Sequence, residues 1–225
     1  MQNAAYFDVD GTITPLNTLF SLLRFDAQEQ DQVQDGERFL QDLFHLKTKG
    51  APREITNRQY FQWWAERDEQ EIIDLGKRWF DQQLRHYKDG IIFPPVRSRL
   101  YAHEMKRDRI VLVSGSFLPA LLPIASYIGA KEIIATSPMS VNGQFTGEVE
   151  VPMIGANKAK AVMRHASMHS LLLSASYGYG DDLSDTPFMS LTGHPTAICF
   201  NSEESELSIF AKEAGWDQIQ VLEEL

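Results

Sequence analysis

The 225-residue chain has one cysteine, Cys199, and therefore cannot close an internal disulfide. It stands in the apolar run Thr196-Ala197-Ile198-Cys199-Phe200, which reads as a core strand and suits a reducing compartment. Positive charge is also short, with 21 Lys and Arg against 31 Asp and Glu, and the formal net charge of -10 argues against a broad basic face. Nucleic acid is not an expected partner. Long hydrophobic runs are missing as well: the most apolar window, 117–128, contains Pro119 and Pro123 and is too short to span a bilayer. No membrane segment is expected. The amino end has no basic region, apolar segment and cleavage site in sequence, so the expected compartment is the cytoplasm. Low-complexity tracts are lacking too. What is present, 43% hydrophobic and 23% charged residues, suffices for one generous core or a core with a smaller insert.

Organisation changes sharply along the chain. Residues 15–91 read as helices only: Phe39, Leu40, Leu43, Phe44 and Leu46 recur at helical spacing, and Pro52 opens a further helix carrying Ile55, Tyr60, Phe61 and Trp64. A third runs from about Glu69 through Ile72, Leu75, Trp79, Phe80 and Leu84. The aromatic clusters fit core packing first and a pocket wall second. From Phe93 onward helix and strand alternate: helix 95–107, strand 110–113, helix 117–128, strand 132–135, and a hairpin with arms 138–141 and 144–149 around Asn142-Gly143. Helix 157–168, strand 171–177 and strands 196–200 and 218–222 follow. The expected fold is α/β, a doubly wound, Rossmann-like parallel sheet core (1–14 and 92–225) with an inserted all-helical cap (15–91) and a small β-hairpin. In such sheets ligands bind beyond the carboxyl ends of the strands.

Three polar clusters fall at expected strand ends. In Phe7-Asp8-Val9-Asp10-Gly11-Thr12, two carboxylates two residues apart share one face of an extended strand before a glycine turn. They repel one another and call for a cation, for which magnesium is the hard, oxygen-seeking candidate; a plain Asp-Gly hairpin turn is the competing explanation. Ser114-Gly115-Ser116 offers a hydroxyl and free backbone donors, or a simple helix N-cap. Lys158 falls in the first turn of a helix, where a lysine opposes the helix dipole; an inward-facing anion accounts for it better than a solvated face, which is about as common for any single lysine. Gly180-Asp181-Asp182-Leu183-Ser184-Asp185 packs three acids into five residues, more than helix capping needs, and Gly178-Tyr179-Gly180 lacks the third glycine of a dinucleotide loop.

Taken in order, these segments resemble the four motifs of the haloacid dehalogenase superfamily, in the branch containing phosphoserine phosphatase. The first motif matches 7–12, the second Val113-Ser114-Gly115-Ser116, the third Lys158 and the fourth 180–185. The resemblance implies a magnesium-dependent phosphatase acting on a small phosphorylated metabolite, with no membrane partner. Asp8 would be the nucleophile and Asp10 the acid/base; Thr12, Ser114, Gly115 and Lys158 would bind the phosphate. Asp8, the Asp10 carbonyl and Asp181 would hold the metal, supported by Asp185 and Asp182. Asn17 stands where phosphoserine phosphatases carry a glutamate that reads the substrate ammonium, and Ser184 stands where they carry asparagine. The first departure points away from phosphoserine, and the second weakens the phosphate contact expected there. Arg53, Arg58 and Lys47 read first as solvated helix residues and second as contacts for another anionic group. Two other functions use similar residues: a phosphotransferase or mutase on the same fold, and a non-catalytic, receiver-like phospho-acceptor. His165 and His169 lie one helical turn apart, and the sequence offers no third metal ligand beside them. Oligomeric state is not legible.

Overall fold

The computed structural model describes residues 3–200 and 204–222. Its core is a six-stranded, wholly parallel sheet: β1 (Ala4–Phe7), β2 (Arg109–Ser114), β3 (Glu132–Ala135), β6 (Tyr177–Gly180), β7 (His194–Phe200) and β8 (Asp217–Val221), in the order β3-β2-β1-β6-β7-β8. Successive crossovers run from β1 outward to β3, then return to the other side of β1. That reversal is the doubly wound topology, and it leaves a crevice at the carboxyl ends of the central strands.

Both faces of the sheet are covered. Ala5, Phe7 and Leu112 face one apolar cluster, whereas their neighbours Ala4, Tyr6, Val111 and Val113 face another with Ala159, Val162 and Phe188. The two-residue period thus buries every side chain of β1, and its sequence is continuously apolar rather than alternating.

Between β1 and β2 lie helices α1 (Thr18–Glu29), α2 (Val33–Thr48), α3 (Arg53–Tyr60), α4 (Glu69–Tyr87) and α5 (Pro94–Lys106). Asp68 caps α4 by accepting from the Glu71 amide at 2.9 Å. A buried carboxylate, Asp26 on α1, ties the bundle together: it accepts from Trp63 Nε1 at 2.8 Å and from Arg67 at 3.1 Å. Helix α6 (Leu118–Ile128) crosses α4 so closely that a Cβ on Gly76 would lie 1.9 Å from the Pro119 carbonyl oxygen. Only glycine fits there.

The hairpin β4 (Pro138–Val141) and β5 (Gln144–Val149) has the expected bounds. It docks on the helical insert through backbone bonds from Glu66 N to Phe145 O (2.7 Å), Phe145 N to Arg67 O (2.9 Å) and Glu69 N to Gly143 O (2.8 Å). Although it follows β3 in sequence, it buttresses the insert in space.

One expected strand is displaced. Residues 171–177 were legible as a strand from their apolar run, but Leu173–Ala175 form a 3-10 turn and the strand begins at Tyr177. Leu171 and Leu173 pack as satellites of the second apolar cluster, and the Ser176 hydroxyl accepts from the Ala4 amide at 3.1 Å. The glycines that look like a loop form the strand because a short helix, α8 (Thr186–Met189), presses on it: a Cβ on Gly178 would meet Met189 Cα at 3.1 Å. Helices α7 (Ala156–Met168) and α9 (Glu206–Ala214) complete the layers. Among the described residues, no helix is long and apolar enough to cross a membrane.

Candidate active site

Three adjacent strands deliver the polar clusters to one place. Asp8 follows β1, Ser114 ends β2 and Asp181 follows β6, and β1 pairs with both neighbours. After β1 the chain turns tightly, with the amides of Thr12, Ile13 and Thr14 all directed to the Val9 carbonyl. Gly11 has φ of +73°, and a Cβ there would sit 2.3 Å from Asp181 Oδ2. Glycine is therefore required both by the left-handed backbone and by the carboxylate against it.

Lys158, in the first turn of α7, is buried between two acids, with Nζ 2.7 Å from Asp8 Oδ1 and 2.7 Å from Asp185 Oδ1. Burial pulls its pKa down, but the charges of Asp185 and Asp8 outweigh that and raise it above the ordinary lysine value. Lys160, by contrast, is exposed. Asp10 accepts twice from the start of α1, from Thr18 N at 3.0 Å and Thr18 Oγ1 at 2.7 Å. Burial first, and then the Asp8 charge, push its carboxyl up to about 7 against the opposing Thr18 bonds. The Thr18 hydroxyl also shares a hydrogen bond with Ser116 Oγ at 2.9 Å, which links the first two motifs.

Ser114 is buried and accepts from the Ser116 amide at 3.1 Å. The helix after it starts at Leu118 with Phe117 at the cap position, so the N-cap explanation for Ser114 does not hold. Asn57 Nδ2 and Thr136 Oγ1 each donate to the Gly115 carbonyl at 2.9 Å and hold that turn in place. The Thr12 hydroxyl is engaged with Asp181 Oδ1 at 2.9 Å rather than pointing to open space. Asp182 pairs with Arg53 at 2.5 Å, and Arg53 also donates to Ser184 Oγ at 3.0 Å. Arg53, although half-exposed, thus reaches the acidic cluster of the fourth motif. Arg58 instead donates to the Glu150 carbonyl, while Lys47 lines the cavity wall. Asn17 caps α1, accepting from Phe20 N at 3.0 Å.

Asp8, Asp181 and Asp185 each place a carboxylate oxygen within 4.8 Å of the others. Asp185 Oδ2 is buried with no hydrogen-bond partner. Burial, then the charge of Asp8, raises the pKa of both Asp181 and Asp185. An orphaned carboxylate oxygen within a set of hard oxygen donors fits a divalent cation of the magnesium type.

These acids give the metal-free protein a distinctive pH response. Acids held above their unfolded values bind protons more tightly when folded, so stability is gained as pH falls and lost as pH rises through the folded pKa. The thermal midpoint in chelator is expected to rise from pH 8 to pH 6.5, above the range in which buried histidines begin to oppose it. Stabilisation by added magnesium should be largest at pH 8 and shrink over the same interval. Differential scanning fluorimetry with and without chelator measures both; a metal-free midpoint that falls over that range would contradict the assigned burial of these acids.

Around the acids opens a cavity of about 710 Å³, walled by Phe20, Phe44 and Tyr60 and by the cations Arg24, Lys47 and Arg53. Sequence reasoning did not find Thr18, Asn57 or Thr136. A threonine beginning a helix and an asparagine within one carry no signal until the fold brings them to Asp10 and Gly115.

Comparison with known proteins agrees with this architecture. The chain is 33% identical over 118 residues to an inhibition of morphological differentiation protein from Streptomyces azureus, covering 52% of this chain and 43% of that one. It is 30% identical over 118 residues to a probable phosphatase from Mycobacterium tuberculosis, covering 52% and 41%. The matched region thus spans less than half the length of these curated relatives. Among solved structures, a protein of unknown function from Bordetella pertussis Tohama I shares the fold with a TM-score of 0.82 at 22% identity, covering 97% of this chain and 98% of that one. A phospho-aspartyl intermediate analogue of phosphoserine phosphatase superimposes with a TM-score of 0.64 at 17% identity, covering 99% and 94%. The model of the haloacid dehalogenase-like hydrolases matches residues 5–190, a span that includes the acids, the serine and the lysine of the cluster, and the chain is a member of that family.

Proposed function

We propose that the protein is a magnesium-dependent phosphatase that hydrolyses a small phosphomonoester through a phosphorylated Asp8. The observation that carries this reading is the Asp8–Lys158–Asp185 chain at 2.7 Å per link, with Asp8, Lys158, Asp10 and Asp181 all lining one cavity. Asp8 attacks phosphorus in line and the alcohol departs; water then hydrolyses the acyl phosphate, so one hard displacement becomes two easier ones. Asp10, held near neutrality by burial, gives its proton to the leaving alkoxide and takes one from the water in the second step. Lys158 and the Ser114 hydroxyl bind the equatorial phosphate oxygens, with the amide of Gly115 beside them. Thr12 steadies Asp181 through its hydroxyl. Asp8, Asp181 and the Asp10 carbonyl would hold the magnesium, with a carboxylate oxygen of Asp185 within 4.8 Å of those of Asp8 and Asp181. When bound, the ion neutralises charge repulsion between nucleophile and phosphate.

The cavity also bears on substrate. Among the described residues its carboxylates are Asp8, Asp10 and Asp181 of the reacting cluster and Asp182, which is paired with Arg53, so none of these lies on the outer wall free to pair a substrate ammonium. Asn17, at the position of the ammonium-reading glutamate, is committed to capping α1. The aromatic and cationic wall suits a phosphomonoester with apolar surface and a second anionic group rather than phosphoserine.

The test is phosphate release from p-nitrophenyl phosphate with magnesium present. Continuous release, many turnovers per chain, is the expected result, and it should stop in chelator. At most one phosphate per chain would favour a receiver-like acceptor, and product formed only with an added acceptor alcohol would favour a phosphotransferase.

A further inference from the structure

On the opposite edge of the molecule, His165 and His169 meet a third candidate ligand that sequence alone does not bring to them. Glu132 begins β3 and Arg109 begins β2, so this cluster lies at the amino ends of the strands, across the sheet from Asp8. His165 Nε2 lies 3.2 Å from Glu132 Oε2 and His169 Nε2 lies 3.8 Å from Glu132 Oε1; the two rings are 4.6 Å apart by their centroids. All three residues can place a donor atom within 4.8 Å of the others. We propose that Glu132, His165 and His169 form a second metal site, for a zinc-type divalent transition ion, separate from the carboxylate cluster.

Donor chemistry selects the metal. Two imidazoles and one carboxylate suit zinc or its borderline neighbours, whereas magnesium prefers oxygen alone. Distances agree: zinc bonds of about 2.0–2.2 Å at tetrahedral angles put two ligand atoms about 3.4 Å apart, close to the His165–Glu132 separation. His169, about a third exposed, needs only a small side-chain movement inward and leaves the fourth position to water. Arg109 engages the other Glu132 oxygen, Oε1, and orients the carboxylate with Oε2 toward His165.

The surroundings are built for this role. The buried Tyr6 hydroxyl lies 3.0 Å from His165 Nδ1. It can accept from Nδ1–H, which leaves the Nε2 lone pair free for a metal, as outer partners of ligating histidines do. A bound ion would pin the last turns of α7 to β1 and β3. The same helix presents Lys158 from its first turn, but the ion itself would stand far from the phosphate.

Zinc titration by calorimetry, in excess magnesium so that the acidic cluster is occupied, tests the proposal. One equivalent is expected in the wild type, with a higher thermal midpoint. Cobalt should give the visible absorption of a tetrahedral site and shift the histidine ring resonances. His169→Ala, at an exposed position, should weaken binding at least about tenfold, and Tyr6→Phe should weaken it by about tenfold. Asp181→Asn should leave it intact. No zinc bound by the wild type would overturn the proposal and leave Glu132 as an ion-pair partner of Arg109. Binding kept in His169→Ala and lost in Asp181→Asn would equally overturn it, since the ion would then sit with the acids. None of these readouts depends on phosphatase turnover, so failure here and failure of the proposed catalysis are distinguishable.

Discussion

Replacing Asp8 by asparagine is expected to abolish turnover while leaving the fold intact. Asparagine keeps the shape and one carbonyl oxygen, so Lys158 retains a partner there and its 2.7 Å bond to Asp185 is untouched. What is lost is the nucleophile, because a neutral amide does not attack phosphorus. The fall in kcat should be on the order of 10^4-fold or more, the scale on which removal of a nucleophile acts elsewhere. The same substitution removes a negative charge that raises the pKa of Asp10, Asp181 and Asp185. The metal-free variant should therefore melt at or above the wild-type temperature. Steady-state kinetics with a melting curve checks both, and robust turnover in a folded Asp8→Asn protein would sink the nucleophile assignment.

Lys158→Met should be costly for stability as well as for rate. Lys158 is buried between Asp8 and Asp185 and is the only cation that bonds to both of them among the described residues. Methionine matches its length but leaves two buried carboxylates facing each other, and removing one partner from a buried pair costs about 3–5 kcal/mol. Protonation of Asp185, already raised by burial, offsets part of that at low pH, so the deficit should be larger at pH 8 than at pH 6. Magnesium should restore part of it. Loss of a preorganised positive charge on the phosphate should lower kcat by about 10^2–10^3-fold, as for one oxyanion donor. Urea titration at two pH values separates the structural loss from the catalytic one. An unchanged midpoint at pH 8 would show that the two acids do not depend on this lysine.

Some features were legible because they are local. The apolar run of β1 ending in Asp8, the Asn142-Gly143 hairpin and the strand Glu132–Ala135 all depend on periodicity and turn chemistry within a few residues. The order of acids, serine, lysine and acids was legible for the same reason, each cluster being a short local run of polar residues beside an apolar one. The strand at Tyr177–Gly180 was not. Its two glycines contradict strand propensity and are required only because α8 packs against them, a contact that propensity does not encode.

Side-chain partnership across the chain was less legible still. Arg53 looks like any exposed helical arginine, yet it reaches Ser184, 131 residues away. His165 and His169 look like an incomplete ligand pair until β3 places Glu132 beside them, 33 residues from His165. The sequence by itself determined the α/β class, the helical stretch between the first two strands and the order of the acid, serine and lysine clusters, because these follow from hydrophobic period and from residue chemistry. Only the tertiary structure decided which acid pairs with Lys158, what holds Asp10 and Gly115, and which third ligand joins the histidines. Those are contacts between segments far apart in the chain, and they exist only once the sheet order brings β1, β2, β3 and β6 together.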